Sequence, residues 1–223
     1  MKRVVLVHTA PMNPARFQEL AEEIMPEVAV EHVVDESLLQ ETIAAGGLTA
    51  EVARRFVERA EALRASGVDA VVLTCSSVGP AAEGVSAGPV PVLRIDTAMA
   101  EAAVQVGARI GVAATLPTTL GPTAELIHAA AARAGRAVEV RTALAEGAFQ
   151  VLATDPVEHD RRVRACLEEL AGWADVIVLA QASMARAVAG AATITAAGRA
   201  VPLLTSPRLG MERLARLLNE TAG

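Results

Sequence analysis

Aromatic residues are nearly absent from this chain. Its 223 residues include three Phe, one Trp and no Tyr, although 52% of them are hydrophobic. The core must therefore be built from Ala, Val, Leu and Ile, and we expect no platform of aromatic rings for stacking nucleic-acid bases. A chain of this length and hydrophobicity buries a substantial core, which excludes an intrinsically disordered protein.

Basic runs and long apolar runs are also missing. The net charge of -6 and the lack of a Lys/Arg cluster predict that no nucleic acid is bound. No apolar stretch approaches the roughly 20 residues that span a bilayer, and the apolar residues 4–7 are too few for a signal peptide. We therefore expect a cytoplasmic protein without a membrane partner.

Cysteine is scarce, and the motifs that hold common cofactors are absent. Cys75 and Cys166 lie in unrelated surroundings, so they predict two free thiols and neither a disulfide framework nor a zinc site. The sequence contains no glycine-rich dinucleotide motif, no P-loop and no cluster with metal-ligand spacing. We expect no cofactor and no metal.

Short apolar runs bounded by turn residues alternate with longer segments of helical periodicity. This alternation is typical of βαβ units and predicts an α/β fold with mainly parallel sheets. The expected strands are residues 4–7, 28–34, 70–73, 90–93, 110–113, 138–140, 176–179 and 201–204. The expected helices are residues 15–25, 49–65, 97–106, 122–134, 156–171 and 211–218. Four strands fall in each half of the chain.

The second half repeats parts of the first at an offset of 106 residues. The identical pairs are Thr9 and Thr115, Pro11 and Pro117, Asp69 and Asp175, Leu73 and Leu179, and Ser77 and Ser183. With an insertion near residues 195–199, residues 90–93 also pair with 200–204. We therefore predict two pseudo-symmetric doubly wound lobes, each with a mainly parallel four-stranded sheet. They would comprise residues 1–100 and 101–223, with the C-terminal helix able to pack back on the first lobe.

Loops after the strands are the expected site, because doubly wound sheets bind ligands beyond the carboxyl ends of their strands. Two such lobes facing each other would place four loops around one cleft. These loops are residues 9–13, 74–79, 115–119 and 180–184.

Cys75 is the strongest candidate for chemistry. It directly follows the strand 70–73, and a helix beginning near Pro80 would lower the pKa of its thiol. The resulting thiolate could act as a base or as a nucleophile. The alternative is a small buried residue, which is how we interpret Cys166 inside its helical segment.

Other polar residues fall in the same loops. Gln181 stands 106 residues after Cys75 and either orients substrate and stabilises negative charge or serves only as a loop residue. His8 ends the first strand and either polarises or protonates substrate or is simply hydrogen-bonded. The expected substrate-binding hydroxyls are those of Thr9, Ser76, Ser77, Thr115, Thr118, Thr119 and Ser183. For the serines an N-cap would look the same from the sequence, and helix capping alone explains one or two of the threonines at 115, 118 and 119.

Five segments, taken in order, resemble the aspartate/glutamate/hydantoin racemase superfamily. They are VLVHT at 5–9, TCSS at 74–77, RID at 94–96, GVAATLPTT at 111–119 and VIVLAQASM at 176–184. The resemblance covers nearly the whole chain. It implies a pair of α/β lobes with a cofactor-free site between them, where one cysteine from each lobe faces the acidic carbon of the substrate.

Cys75 matches the first-lobe cysteine of this pattern, and Gln181 stands where the second cysteine would be. The resemblance thus implies a cofactor-independent racemase or isomerase that acts on a small carboxylate with one catalytic thiol. The alternatives are a decarboxylase or lyase, a cis-trans isomerase of the same superfamily, and a non-catalytic carboxylate-binding protein. The alanine-rich helices could also pack against a second subunit in a homo-oligomer.

Overall fold

A computed structural model describes residues 1–220 of the chain. It divides the chain into two compact units, which are considered separately. Unit 1 comprises Met1–Ile95 and the chain from Pro207 onward, and unit 2 comprises Asp96–Ser206. Within residues 1–220, no helix is both long and apolar enough to cross a membrane.

Unit 1 is built on a parallel sheet with the strand order β2-β1-β3-β4. The strands are β1 (Arg3–His8), β2 (Ala29–Val34), β3 (Ala70–Leu73) and β4 (Val92–Arg94). The helices between them are α1 (Asn13–Ile24), α2 (Glu36–Ala44) and α3 (Ala50–Ala65), with a 3-10 helix at Gly79–Gly84.

The two faces of this sheet bury different side chains because residues alternate along a strand. Val4 and Leu6 of β1 pack into a cluster with Phe17 of α1. Val5 and Val7 point the other way and pack into the cluster that contains residues of α3. Burial on both faces explains the continuous aliphatic runs of β1 and β3.

Unit 2 repeats this plan with a larger sheet, in the order β6-β5-β7-β9-β8. Its strands are β5 (Arg109–Ala114), β6 (Glu139–Leu144), β7 (Val176–Leu179), β8 (Thr193–Ala196) and β9 (Arg199–Thr205). Its helices are α4 (Thr97–Val106), α5 (Pro117–Arg133), α6 (Ala148–Val151) and α7 (Pro156–Ala171), with a 3-10 helix at Ala182–Val188. The predicted α/β fold with mainly parallel sheets is confirmed.

Unit 2 differs from the prediction by having a fifth strand. β8 pairs antiparallel with β9, and Ala197 and Gly198 form the turn with φ values of 50° and 74°. Two residues with positive φ are typical of the tight turn that joins a β-hairpin. This hairpin occupies the region where the repeat required an insertion.

Helix α5 begins earlier than the periodicity predicts. It starts at Pro117, so Pro122 lies inside the helix and not at its start. A proline there forfeits one backbone hydrogen bond but does not end the helix, because its ring fixes a helical φ. The helices α2 and α6 were not predicted, because each is short.

The two sheets share one pairing register. Val4 lies beside Ala70 in unit 1, and Ile110 lies beside Val176 in unit 2. Each residue of β1 that pairs with β3 thus lies beside the residue 66 positions later, and β5 pairs with β7 at the same spacing. The hydrogen bond from the backbone of residue 3 to the side chain of residue 69 has this spacing too. The offset of 106 residues therefore relates two sheets of equivalent construction.

An aspartate closes the amino-terminal end of each central strand pair. The backbone N–H of Arg3 donates to Asp69 at 2.7 Å, and the backbone N–H of Arg109 donates to Asp175 at 3.0 Å. These bonds satisfy the first amide of β1 and β5. The identity of Asp69 and Asp175 in the repeat reflects this shared role.

The last helix, α8 (Ser206–Glu220), packs its apolar face onto unit 1. Met211, Leu214 and Leu218 are buried in the cluster that contains Phe17. At Gly210 the helix approaches the chain so closely that an added Cβ would lie 2.4 Å from the carbonyl oxygen of Ile95. This helix position therefore has no room for a side chain.

We predict that Gly210→Ala destabilises unit 1 by about 1–3 kcal/mol, although alanine is the better helix former. Urea unfolding followed by circular dichroism would measure the change. Gly47→Ala is the control, because its added methyl group meets nothing within 4 Å, and it should change stability by less than about 0.5 kcal/mol. Equal effects of the two substitutions would contradict the close approach at Gly210.

Candidate active site

Two polar segments lie side by side where β1 and β3 end. Val7 pairs with Leu73, and the N–H of Thr74 donates to the carbonyl of Val7 at 3.0 Å. Continuing this register places His8 beside Thr74, and Thr9 beside Cys75. The predicted position of the thiol at the carboxyl end of its strand thus follows from the strand pairing.

The side chains at this edge separate onto the two faces of the sheet. Cys75 packs against the cluster that contains Val7 and residues of α3. His8 lies on the α1 face, where its ring centroid is 5.3 Å from that of Phe17, and it contacts the Thr74 hydroxyl. The thiol and the histidine therefore lie on opposite faces of the sheet.

The segment after Cys75 is held against β4 by a buried arginine. Arg94 is almost fully buried, and its guanidinium donates to Glu83 at 3.0 Å. A Cβ added at Gly79 would lie 2.7 Å from the Cζ of Arg94, so this glycine gives the guanidinium its space. The 3-10 helix Gly79–Gly84 is thus anchored at both Gly79 and Glu83.

Hydroxyl groups accompany the thiol in unit 1. Thr9 is 4% exposed and Ser76 is 8% exposed, and neither side chain forms a hydrogen bond with any of residues 1–220. Their hydroxyls are therefore available to a ligand. Ser77 is more deeply buried and has an interaction partner inside the protein.

Gln181 occupies the equivalent position in unit 2, beside Thr115. Its Oε1 accepts hydrogen bonds from the Thr115 N–H at 2.5 Å, the Thr115 hydroxyl at 2.9 Å and the Leu116 N–H at 3.3 Å. Because backbone amides can only donate, they fix which side of the amide carries the oxygen. The Nε2 of Gln181 has no hydrogen-bond partner among residues 1–220, so its two N–H groups are open.

The other predicted hydroxyls of unit 2 fall into two groups. Thr118 and Thr119 lie in the first turn of α5, where they are buried and have partners inside the protein. Ser183 is half-buried, and its hydroxyl makes no hydrogen bond within the described chain. Gln181 and Ser183 are thus the open donors of this loop.

His8 is completely buried, and protein groups occupy both of its ring nitrogens. Nδ1 lies 2.8 Å from the Thr74 hydroxyl, and Nε2 lies 2.8 Å from Nδ1 of His32. Burial and the neighbouring His32 lower the pKa of His8 to about 4, so the ring is neutral near pH 7. A ligand would reach His8 only by displacing one of these bonds.

His32, Thr74 and Gln18 form a connected set with His8 that the sequence pattern did not predict. Nε2 of His32 donates to Oε1 of Gln18, 3.1 Å away. The sequence held one signal for this set: His32 is a polar residue in a largely aliphatic strand, in line with Val28 and Val30, which pack toward α1. Its partners depend on strand order, which the sequence does not give directly.

The second cysteine, Cys166, has different surroundings. It is buried in α7, where burial and the nearby Glu169 raise the pKa of its thiol to about 11. Cys166 is therefore a core residue.

Among residues 1–220, no three His, Cys, Asp or Glu side chains cluster closely enough to hold a metal ion.

We predict that iodoacetamide near pH 7.5 alkylates Cys75 at least about tenfold faster than Cys166. A rise in pKa from 9.0 to about 11 leaves Cys166 with about a hundredth of the thiolate of an ordinary cysteine, and Cys75 is also more exposed. Mass spectrometry of the two cysteine peptides would measure both rates, with Cys75→Ser and Cys166→Ser confirming the assignment. Equal rates would contradict an accessible thiol at the end of β3.

Comparison with solved structures shows the same fold in several racemases. Glutamate racemase RacE1 from Bacillus anthracis is 17% identical, with a TM-score of 0.74 over 99% of this chain and 82% of that chain. Allantoin racemase from Pseudomonas fluorescens is 21% identical, with a TM-score of 0.62 over 100% and 92%. Aspartate racemase from Picrophilus torridus is 12% identical, with a TM-score of 0.66 over 100% and 95%.

Sequence comparison gives the family directly. None of the curated protein sequences matches this chain. The family model described as Asp/Glu/Hydantoin racemase matches residues 9–214, which include both loops that carry Cys75 and Gln181. The chain therefore belongs to the Asp/Glu/hydantoin racemase family.

Proposed function

We propose that this protein is a cofactor-independent racemase or isomerase that acts on a small carboxylate, with Cys75 as its acid/base group. The observation that carries the proposal is the half-buried Cys75 thiol at the end of β3, beside the open hydroxyls of Thr9 and Ser76. Family membership supports this assignment. So does the range of structural neighbours, which are named as racemases of glutamate, aspartate and allantoin.

Proton exchange at carbon is the step for which a thiolate is suited. The sulfur takes the proton from the carbon next to the carboxylate, and the electron pair of that C–H bond moves into the carboxylate to form an enediolate. Returning a proton to the carbon completes the exchange. Donors placed where the negative charge grows lower the barrier, and hydroxyl and amide groups can supply them.

Gln181 is proposed as a carboxylate-binding residue. Its oxygen accepts hydrogen bonds from Thr115 and Leu116, which fix the orientation of the amide group. The two Nε2 hydrogens therefore point in a fixed direction before a substrate binds. Ser183 adds a hydroxyl from the same loop. Because Ser77, Thr118 and Thr119 have partners inside the protein, we propose that they shape the binding loops, and that backbone N–H groups of these loops contact the substrate.

One observation favours reactions that need only one thiol, such as cis-trans isomerisation or decarboxylation. Gln181 stands at the position equivalent to Cys75, so this position in unit 2 supplies no second thiol. One thiolate is sufficient to add to the double bond of an unsaturated dicarboxylate and leave again after rotation, as a cis-trans isomerase requires. One thiol is also sufficient to protonate the enediolate left by decarboxylation.

The first functional prediction concerns Cys75. In deuterated water, a panel of amino, hydroxy and dicarboxylic acids should contain at least one compound that exchanges or isomerises, as followed by proton NMR. Cys75→Ala should lower that rate at least about 100-fold because it removes the acid/base group. Cys166→Ala is the matched control and should retain the rate.

Two results would overturn the proposal. Undiminished turnover in Cys75→Ala would remove the thiol from the mechanism. Binding of a carboxylate without any exchange, isomerisation or loss of carbon dioxide would show a binding protein instead of an enzyme.

The second functional prediction concerns Gln181. Gln181→Glu keeps an oxygen that accepts from Thr115 and Leu116, but it replaces both N–H donors with a negatively charged oxygen. We expect KM for the substrate found above to rise at least about tenfold, because a carboxylate loses its donor and meets a like charge. Steady-state kinetics would measure this rise, with unchanged circular dichroism as the control for folding. An unchanged KM would exclude Gln181 from substrate binding.

A further inference from the structure

A continuous line of hydrogen-bonding side chains runs from the Cys75 loop to the surface of α1. The Thr74 hydroxyl lies 2.8 Å from Nδ1 of His8, and Nε2 of His8 lies 2.8 Å from Nδ1 of His32. Nε2 of His32 lies 3.1 Å from Oε1 of Gln18, whose amide nitrogen donates to Glu22 at 2.8 Å. The line passes from a fully buried histidine to an exposed carboxylate.

The proton positions along this line follow from its outer end. Glu22 can only accept, so the Gln18 amide turns its nitrogen toward Glu22 and its oxygen toward His32. An amide oxygen also only accepts, so Nε2 of His32 carries hydrogen. In a neutral imidazole the other nitrogen is then an acceptor, which requires hydrogen on Nε2 of His8 as well. Nδ1 of His8 is left as an acceptor for Thr74.

This arrangement decides the direction of one hydroxyl. The Thr74 oxygen lies 2.8 Å from Nδ1 of His8 and 3.1 Å from the carbonyl of Val7, and its single hydrogen can serve only one of them. With His8 protonated on Nε2, the hydroxyl donates to His8. With His8 protonated on Nδ1, the histidine donates to the hydroxyl, which then turns to Val7.

The line is confined to the unit that carries the thiol. The positions equivalent to His8 and Thr74 in unit 2 are Ala114 and Ala180, where the backbone bond from Ala180 to Ala113 matches the one from Thr74 to Val7. The fold therefore forms this strand end without any of these polar side chains. Burying a histidine pair in unit 1 carries a desolvation cost that folding alone does not require.

We propose that His32 is a positioning residue for Cys75. By fixing the Nε2–H form of His8, it makes the Thr74 hydroxyl donate to His8 and holds the Thr74–Cys75 peptide at the end of β3. The expected effect of His32 on turnover rests on the function proposed for Cys75. The arrangement of hydrogen bonds among His32, His8 and Thr74 is independent of that function. Burial lowers the pKa of His32. Burial and the neighbouring His32 lower the pKa of His8. Both rings are therefore neutral near pH 8.

The direct test is nitrogen-15 NMR of the histidine side chains near pH 8. In the unaltered protein, His8 and His32 should both carry hydrogen on Nε2. His32→Phe keeps a stacked ring but removes the acceptor for His8, so His8 should change to the Nδ1–H form, while His128→Phe on the exposed face of α5 should leave it unchanged. An Nδ1–H form of His8 in the unaltered protein would overturn the proposal, and this measurement needs no variant to fold.

A second readout follows Cys75 without any substrate. When the Thr74 hydroxyl turns from His8 to the carbonyl of Val7, the Thr74–Cys75 peptide should shift and expose more of the half-buried thiol. Alkylation of Cys75 should therefore become at least threefold faster in His32→Phe and stay unchanged in His128→Phe. Thr74→Val should reproduce the increase, and Thr74→Ser, which keeps the hydroxyl, should restore the original rate. An unchanged alkylation rate in both His32→Phe and Thr74→Val would overturn the positioning role.

Turnover separates this proposal from the proposed function. With the substrate found by deuterium exchange, His32→Phe should lower kcat about tenfold and change KM less than twofold, because the thiol is misplaced while the binding donors remain. Full turnover in Cys75→Ala would reject the catalytic thiol even if the NMR and alkylation results stood. Full turnover in His32→Phe, with Cys75→Ala inactive, would reject only the positioning role.

Discussion

The parallel pairing of β1 with β3, repeated by β5 with β7, is the constraint on which both loops depend. In each pair a residue lies beside the one 66 positions later, and an aspartate, Asp69 or Asp175, fixes the amino-terminal end. Since parallel strands end at the same edge, this register brings Cys75 next to Thr9. A slip of one residue would turn the side chains of β3 to the opposite faces of the sheet and break the site.

The same strand end is secured in two different ways. In unit 2 the loop is tied by the Gln181 oxygen, which accepts from two backbone amides and a hydroxyl. In unit 1 the side chain next to Thr9 is a thiol, which makes only weak hydrogen bonds and cannot provide such a tie. The tie comes instead from Thr74 on the other face of the sheet, through His8. The Cys75 sulfur and the Thr74 hydroxyl that ties its loop thus lie on opposite faces of the sheet.

Features that depend on local pattern could be predicted from the sequence, whereas those that depend on neighbouring strands could not. The helices Thr97–Val106 and Pro156–Ala171 have the predicted bounds because their apolar periodicity begins and ends at turn residues. The short strand β8 has no such signal, because its pairing with β9 is decided by the turn at residues 197–198. Proximity of Thr9 to Cys75 followed from the α/β pattern, but contact between His8 and His32 required the strand order β2-β1-β3.

A neutral tether has an electrostatic advantage over a charged one at this position. A carboxylate buried beside Thr74 would add a fixed negative charge near the thiol and oppose its ionisation, with an effect that grows as water is excluded. Because the pKa of His8 is lowered to about 4, the histidine pair carries no charge near pH 7 and can hold the loop without this penalty. The buried guanidinium of Arg94, which lies against Gly79 further along the segment, is paired with Glu83 at 3.0 Å. The His8 tether and the Arg94–Glu83 pair therefore hold two ends of the segment from separate strands, so each can be altered by mutation without directly altering the other.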